Sequence, residues 1–477
     1  MAVRFSIGEI VKATGGVPVG AITPDTDAVF CGISTDTRTI TDGDAFFALT
    51  GENHDAHDHL GEAAAKGAVL LVVSDPGRIP DGFAGVSLVV TDTLRAYQEL
   101  AAYYRKKIDP LVIAVTGSVG KTTTKDMIGC ILSGFRRVYY TQGNLNNQIG
   151  LPRTILETEE GTEALVLEMG MSYAGEIERL AEIALPDVCV ITNIGLSHRE
   201  NFDADEGIAL AKFEITSFLG EGGTLVIVAG GNEMLDDLAA AGSREKGFGL
   251  LRVAAQDPDA AASAEYIVTR TGIKENDPGY SVFEIMEGAG DPAVHFDIPL
   301  PGAYAGISAA LASAACACAG VSLPEAAKAL KNLKRTAHRL ELIEKHGVLV
   351  IDDTYNASPD SAKSGLDYLK NVSAAKRIAV LADMNELGSG SEAMHREVGA
   401  AAVRSGADII YAFGEKARWL AEAEASIRYF GPDEKEKLIL SLKEELTEGS
   451  AVYIKGSRSM RMEEVVGALT EDEDGAA

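Results

Sequence analysis

Residues 111–122 read LVIAVTGSVGKT, and no other stretch narrows the fold as much. An apolar run of strand length stops at Thr116, the loop Gly117-Ser118-Val119-Gly120 follows, and Lys121-Thr122-Thr123 opens a helical pattern. A run that is apolar on both faces belongs inside a sheet covered on both sides. The order strand, glycine loop, helix therefore makes this an α/β layer structure. Glycines let backbone N–H groups turn inward around an anion, and a helix N-terminus adds a positive dipole end. A lysine then neutralises phosphate oxygens, and a threonine hydroxyl suits a hard cation. The segment reads as a P-loop in shortened form, because Val115 stands where the full pattern has glycine. Its expected ligand is ATP with Mg²⁺, GTP being the second choice, seated on Thr116, Gly117, Ser118, Val119, Gly120, Lys121, Thr122 and Thr123.

Further apolar strands follow at 164–169, 187–195 and 223–229, separated by helical or loop segments. That alternation predicts a parallel, doubly wound sheet. Before it, residues 94–107 form an amphipathic helical pattern that Asp109-Pro110 interrupts. After a basic link around 331–339, strands at 347–353, 377–382, 408–413 and 451–456 alternate with helices again. Three units are expected: 1–108, 109–333 and 334–477, the last a Rossmann-like α/β layer. The tail TEDEDGAA reads as disordered.

The chain holds 477 residues, enough for about three domains. Its 43 basic and 71 acidic residues leave −28, which excludes a nucleic-acid binder and an anionic-membrane binder. The basic clusters Arg105-Lys106-Lys107 and Lys328–Arg339 are expected to be solvated helix ends. The most apolar segment, ISAALASAACACAG, is too short to span a bilayer and reads as a buried helix. MAVRFSIGEIVKATGG has no apolar core like that of a signal peptide, and five unpaired-looking cysteines (31, 130, 189, 316, 318) read as reduced, buried thiols. A cytoplasmic location follows as the expectation.

Three more residues join the P-loop as candidates. Glu168 ends a strand at the edge where an open α/β sheet holds its ligands, so it is the expected metal carboxylate. His198 lies just past another strand, at the same edge. Lys212, in ALAKFEI, reads by itself as a helix lysine reaching for water. The run HDAHDH (54–59) has the residue types of a zinc site.

The stretches TGSVGKTTTKDM, TQGNLNNQIGLPRTIL (141–156), LEMGMSYAGEI (167–177), PDVCVITNIGLSH (186–198) and ALAKFEI (209–215) resemble the central domain of the Mur ligases. STDTRTITDGDAFFALTGENHDAHDH (34–59) resembles the N-terminal uridine-nucleotide domain of that family. IDDTYNASPDS (351–361), VLADMNELGSGSEAMHREVG (380–399) and IKGSRSM (454–460) resemble its C-terminal domain. The resemblance implies an ATP-driven amide synthesis through an acyl phosphate, with UDP-N-acetylmuramoyl-tripeptide and D-alanyl-D-alanine as substrates. Lys121, Glu168, His198 and Lys212 would be catalytic. Thr122, Glu168, His198 and a carbamate on Lys212 would hold Mg²⁺, and Arg339 and Asp353 would join the ATP seat. Substrate contacts would fall to Ser34, Thr35, Asp36 and Arg38 in the first unit, and to Asn144, Asn146 and Asn147 in the second. Tyr355, Asn356 and Lys455 would supply them from the third. The family does not use the Asp-Ala-His piece of HDAHDH for a metal, so no metal is expected there. A monomer is expected.

The chain departs from the family at Tyr304, Ala305 and Ser308, usually His, Asn and Asn, so the adenine contacts do not carry over. It also has His338 where Gly precedes the arginine, which implies a different interdomain hinge, and Val119 for a polar residue. Two other readings stay open: a related ligase that adds a different amino acid or dipeptide, and a nucleotide-gated binding protein without catalysis.

Overall fold

The computed structural model describes residues 3–19, 30–51, 54–195, 201–202, 205–255, 261–274, 277–302 and 304–471. The strands expected from the apolar runs are present: 111–116 has the expected ends, Lys376–Ala382 starts one residue earlier, Ser450–Lys455 is shifted by one, and the others are shortened at one or both ends.

A nine-stranded sheet forms the middle of the chain. Leu111–Thr116 lies between Ala164–Glu168 on one side and Val188–Ile191 on the other, both parallel to it. Val138–Tyr140 completes the first edge. Thr224–Val228, Gly249–Ala254 and Tyr266–Lys274 extend the other side in parallel. Chain order thus reverses at Leu111–Thr116, and an open α/β sheet binds its ligands outside the strand C-termini at such a switch point. The P-loop and Thr192 follow strands that end there, and Glu168 is the last residue of another.

The outer strands are not parallel. Asp277–Glu287 pairs antiparallel with Tyr266–Lys274, and Val294–Ile298 continues as an antiparallel edge. Asp277–Glu287 alternates half-buried with buried side chains, the pattern of a sheet with one face against the core.

The helix Tyr304–Ala317 lies against one face, almost wholly buried, beside the P-loop helix Lys121–Ser133. Its alanines permit close backbone approach, and Cys316 Sγ lies 3.9 Å from the Ile128 carbonyl. Cys31 and Cys189 are also buried and Cys130 half-buried. Cys318, just past the helix end, is exposed, contrary to the expectation of buried thiols throughout, and all five are free.

The other face packs against Thr93–Ile108, capped by Asp92, whose side chain accepts from the Arg95 N–H. This helix is also the wall of the N-terminal unit: the Phe5 and Tyr104 rings meet edge-on at 4.9 Å, and Tyr104 Oη donates to the Thr158 carbonyl. Arg105 was expected at a solvated helix end. It is buried instead, donating to the carbonyls of Ala184 and Leu185 and so satisfying the end of the helix Glu176–Ala184.

The N-terminal unit carries a five-stranded sheet in the order Val17–Val19, Val86–Val89, Leu70–Val73, Ala45–Phe47, Ile33–Ser34, parallel except for the first pair. The C-terminal unit carries six strands in the order Glu341–Lys345, Val348–Asp353, Ser450–Lys455, Lys376–Ala382, Ile409–Phe413, Ile427–Phe430. Only the first of these is antiparallel to its neighbour. No helix among the described residues is long and apolar enough to cross a membrane.

Candidate active site

A cleft of about 1230 Å³ opens at the switch point, lined by the P-loop, the 143–148 loop, Glu168, the linker 333–340 and the strand ends of the C-terminal sheet.

The P-loop is held from behind. Gly117 has φ 144°, and a Cβ there would collide with Thr192, so no other residue fits. Ser118 and Val119 donate their N–H groups to Asn193 Oδ1, at 3.1 and 2.8 Å, and the Ser118 hydroxyl donates to the Gly195 carbonyl. Thr116 is fully buried and donates to the Met169 carbonyl at 2.8 Å, so it anchors the strand and does not line the cleft. Gly117 also lies behind the lining, whereas Ser118 through Thr123 form it.

Lys121 curls back onto the loop, donating to the Gly117 carbonyl at 2.8 Å. Burial pushes its pKa down, Glu168 pushes it up, and Arg339 adds a smaller downward push. Glu168 is 2% exposed; Oε1 accepts from Asn146 Nδ2 at 2.8 Å, while Oε2 has no partner. A buried carboxylate oxygen without a donor costs free energy unless something positive meets it. Beside Thr122 and Lys121, that oxygen and the hydroxyl are the hard donors a Mg²⁺ ion takes. Lys212 is likewise 2% exposed, and burial, then the field of Lys121, drive its pKa well below the usual lysine range. Its amine has no hydrogen-bond or ion-pair partner among the described residues. His198, expected at this metal, lies outside those residues.

Asn144, Asn146 and Asn147 line the cleft. Asn146 is committed to Glu168, and Asn147 Oδ1 accepts the N–H groups of Ile149 and Gly150 at the start of the helix Gly150–Leu156.

The third unit reaches the P-loop through the linker. The Arg339 guanidinium donates to Thr122 Oγ1 at 3.1 Å and stacks 4.1 Å from the centre of the Tyr355 ring. Its Nε is buried without a partner. Lys328 and Lys331 are exposed at the end of the helix Leu323–Leu330, as expected, whereas Lys334 and Arg339 line the cleft, so the far end of the basic link is part of the cavity. Lys455, 3% exposed, pairs with Asp353 Oδ2 at 2.6 Å and donates to the Asn356 carbonyl at 2.9 Å. Tyr453 Oη donates to the same Asp353 oxygen. Asn356 Oδ1 accepts from the Ala357 N–H.

Other sequence candidates lie elsewhere. Ser34 ends the strand Ile33–Ser34, Thr35, Asp36 and Arg38 follow it, and none of the four lines this cleft. The Arg38 guanidinium donates to both Asp36 oxygens and its backbone N–H to one of them, holding that carboxyl down at about 2, and Arg153 adds its field. In HDAHDH, His57 is buried between Asp55, 2.6 Å from Nδ1, and the Ser74 N–H, which donates to Nε2. That occupies both ring nitrogens, so the run organises a turn. His338, Glu341 and Asp352 bring ligand atoms within 4.8 Å of one another, but His338 Nδ1 is already paired with Asp352 Oδ2, and Glu341 Oε2 accepts from the backbone N–H of His338.

Cleft residues that escaped the sequence reading include Asn193 behind the P-loop, Asp126 on its helix, Thr336 in the linker, and Glu386. Glu386 has φ 63°, and its charge bears on Lys121 from the C-terminal unit. Glu386 falls within VLADMNELG, and that motif was the available signal.

The chain matches the Mur ligase middle domain over residues 115–317 and the Mur ligase, glutamate ligase domain over residues 338–458. It is 37% identical to a UDP-N-acetylmuramoyl-tripeptide–D-alanyl-D-alanine ligase from Bacillus subtilis over 98% of each chain. The chain belongs to the Mur ligase family. A UDP-N-acetylmuramoyl-tripeptide–D-alanyl-D-alanine ligase from Escherichia coli is 37% identical over 94% of this chain and 95% of its own. Among solved structures of Mur ligases, MurF from Acinetobacter baumannii superposes with TM-score 0.88 at 29% identity, covering 99% of this chain and all of that one. A MurF ligase from Thermotoga maritima in complex with ADP gives 0.79 at 28% identity, covering 92% and 97%.

Proposed function

We propose that this enzyme joins D-alanyl-D-alanine to UDP-N-acetylmuramoyl-tripeptide, using ATP, in the cytoplasmic synthesis of peptidoglycan precursor. The observation that carries the reading is the junction in one cleft of a P-loop, a buried carboxylate with an unpartnered oxygen, and an arginine from another unit on Thr122. A carboxylate is a poor electrophile until it carries a good leaving group. The tripeptide's terminal carboxylate oxygen bonds to the γ-phosphorus, the bond to the β-bridging oxygen breaks, and ADP leaves an acyl phosphate. The dipeptide amine then bonds to the acyl carbon and loses a proton, and phosphate departs with its oxygen.

Each unit has a part in this. Residues 1–108 hold the uridine diphosphate through the Ser34–Arg38 turn, 109–333 hold ATP, and 334–477 bring the amine. Lys121 leaves the Gly117 carbonyl for the phosphate, and Arg339 neutralises charge on the transferring group. Asn146 orients Glu168. Thr122, Glu168 and a carbamate on Lys212 would hold Mg²⁺, with His198 beside them. The bound ion supplies charge neutralisation for phosphoryl transfer. A buried neutral amine is the form that adds CO₂, which favours the carbamate. Cleft closure around the labile acyl phosphate excludes water. The enzyme works as a monomer.

Phosphate release measured with ATP, UDP-N-acetylmuramoyl-tripeptide and a panel of amines tests the reading. Release that requires D-alanyl-D-alanine is expected. Dependence on another amine selects a related ligase, and hydrolysis indifferent to all amines removes ligation altogether. Lys212→Ala is expected to abolish ligation and to recover partly with short added carboxylates, and full activity without them would contradict the carbamate.

A further inference from the structure

The linker between the central and C-terminal sheets is fastened on both sides. Toward the P-loop helix, Thr336 Oγ1 donates to Asp126 Oδ2 at 2.7 Å and Arg339 donates to Thr122 Oγ1 at 3.1 Å. Residues 122 and 126 are one turn apart on one helix face. Toward the C-terminal unit, the fastening is His338. Its N–H donates to Glu341 Oε2 at 3.0 Å, its carbonyl accepts from the Tyr355 N–H at 3.0 Å, and its Nδ1 lies 2.7 Å from Asp352 Oδ2. Asp352 is fully buried and cannot turn, because its other oxygen accepts from both the N–H and the hydroxyl of Thr354.

The backbone here is strained. His338 has φ 63° and Leu340 φ 47°, left-handed conformations on either side of Arg339. Histidine tolerates that region better than most residues, whereas leucine does not, so the surroundings must enforce the turn. The turn throws Arg339 away from its own sheet, across the Tyr355 ring and onto the P-loop. A glycine, the residue that the family resemblance implies at position 338, would adopt the φ without strain but bring no side chain to Asp352.

We infer that His338, tied to Asp352, is a positioning residue that aims Arg339 at the phosphate seat, in place of the flexible glycine hinge. This rests on the reading of Arg339 as a phosphate ligand. The tie replaces backbone freedom with a side-chain catch, so Arg339 stands in place before ATP arrives and loses less freedom when it binds.

The test is steady-state kinetics of the full-length enzyme with ATP, UDP-N-acetylmuramoyl-tripeptide and D-alanyl-D-alanine, on His338→Gly, His338→Asn, Arg339→Ala and the His338→Gly/Arg339→Ala double variant. His338→Gly should lower kcat/KM for ATP about tenfold, with the KM for the dipeptide within about twofold of the parent. His338→Asn should stay within about threefold, because asparagine tolerates the left-handed region and its amide can donate to Asp352. In the Arg339→Ala background, His338→Gly should have no further effect, since a residue acting only through Arg339 is silent without it. Losses that multiply in the double variant overturn the inference alone, as does His338→Gly behaving like the parent. An unaltered Arg339→Ala overturns both the phosphate reading of Arg339 and this inference.

Discussion

Replacing Lys455 by methionine should destabilise the C-terminal unit more than any exposed charge change could. The ammonium is 3% exposed and lies 2.6 Å from Asp353 Oδ2, which also accepts from Tyr453 Oη at 2.9 Å. Burial and the Asp353 charge hold the Tyr453 phenol far above its usual pKa, so it stays a donor. Methionine matches the lysine stem in length but leaves a buried carboxylate with one neutral donor, and it strips the Asn356 carbonyl of its 2.9 Å partner. Breaking a buried ion pair on one side costs about 3–5 kcal/mol. Adding Asp353→Asn removes the stranded charge and keeps an acceptor for Tyr453, so the double variant should regain about half of that loss.

The single tryptophan, Trp419, stands in the C-terminal unit beside His395, its ring 5.7 Å away, so its fluorescence follows this unit. With a urea slope of about 2 kcal/mol/M, a 4 kcal/mol loss moves the midpoint down by about 2 M. Lys455→Met should show that shift, and the double variant about 1 M. A single variant within 0.5 M of the parent, roughly 1 kcal/mol on the same slope, would refute the reasoning, and so would a double variant less stable than the single.

Two further outcomes follow from buried titratable groups. Glu168→Gln keeps the bond from Asn146 and removes the unpartnered anionic oxygen, so the ligand-free protein should gain about 1–2 kcal/mol. Its stabilisation by Mg-ATP, about 2.7 kcal/mol at a hundred times Kd, should vanish, and thermal melts that keep this increment would contradict the assignment. His395 is fully buried; the Met384 N–H donates to Nε2, Nδ1 lies 2.7 Å from the Ser391 carbonyl, and burial lowers its pKa. Below about pH 6.5 the unfolded chain takes up a proton that the folded chain refuses. Stability is therefore full above that pH and falls as pH drops toward the folded pKa, by up to about 1.4 kcal/mol per unit. Urea midpoints from Trp419 fluorescence should slope with pH in the parent and flatten between pH 6.5 and 5 in His395→Gln; an unchanged slope would point to another group.

What could be read from the chain divides by the range of the interaction. The parallel strands were legible because burial on both faces makes each a continuous apolar run, as at 111–116 and 188–191. The P-loop was legible because its chemistry is packed into consecutive residues. The antiparallel strands 277–287 and 294–298 were not, since an alternating pattern at a sheet edge is weak in a single segment. Arg105 looked like surface until its partners, 79 and 80 residues away, came into place. Arg339 was legible through the family motif, but its hold on Thr122 spans 217 residues. The left-handed turn at His338 left one mark, a side chain at a position where the family has glycine.

The linker's two-sided attachment bears on how ATP could govern closure. A ligand shifts a conformational equilibrium only by binding one state better than the other. With Thr336 and Arg339 fastened to positions 126 and 122 of the P-loop helix, any swing of the C-terminal sheet that withdraws the linker removes a guanidinium from the phosphate seat. The closed state thus offers ATP one more cation, beside Lys121, than an open state does. The net −28 of the chain does not oppose this, because two of the cleft carboxylates face cations, Asp126 with Lys125 and Asp353 with Lys455, and Glu168 keeps one oxygen for a metal ion. The differential affinity for the nucleotide lies in a few aimed cations, and exposed acidic groups farther away than about 8 Å are largely screened at physiological salt.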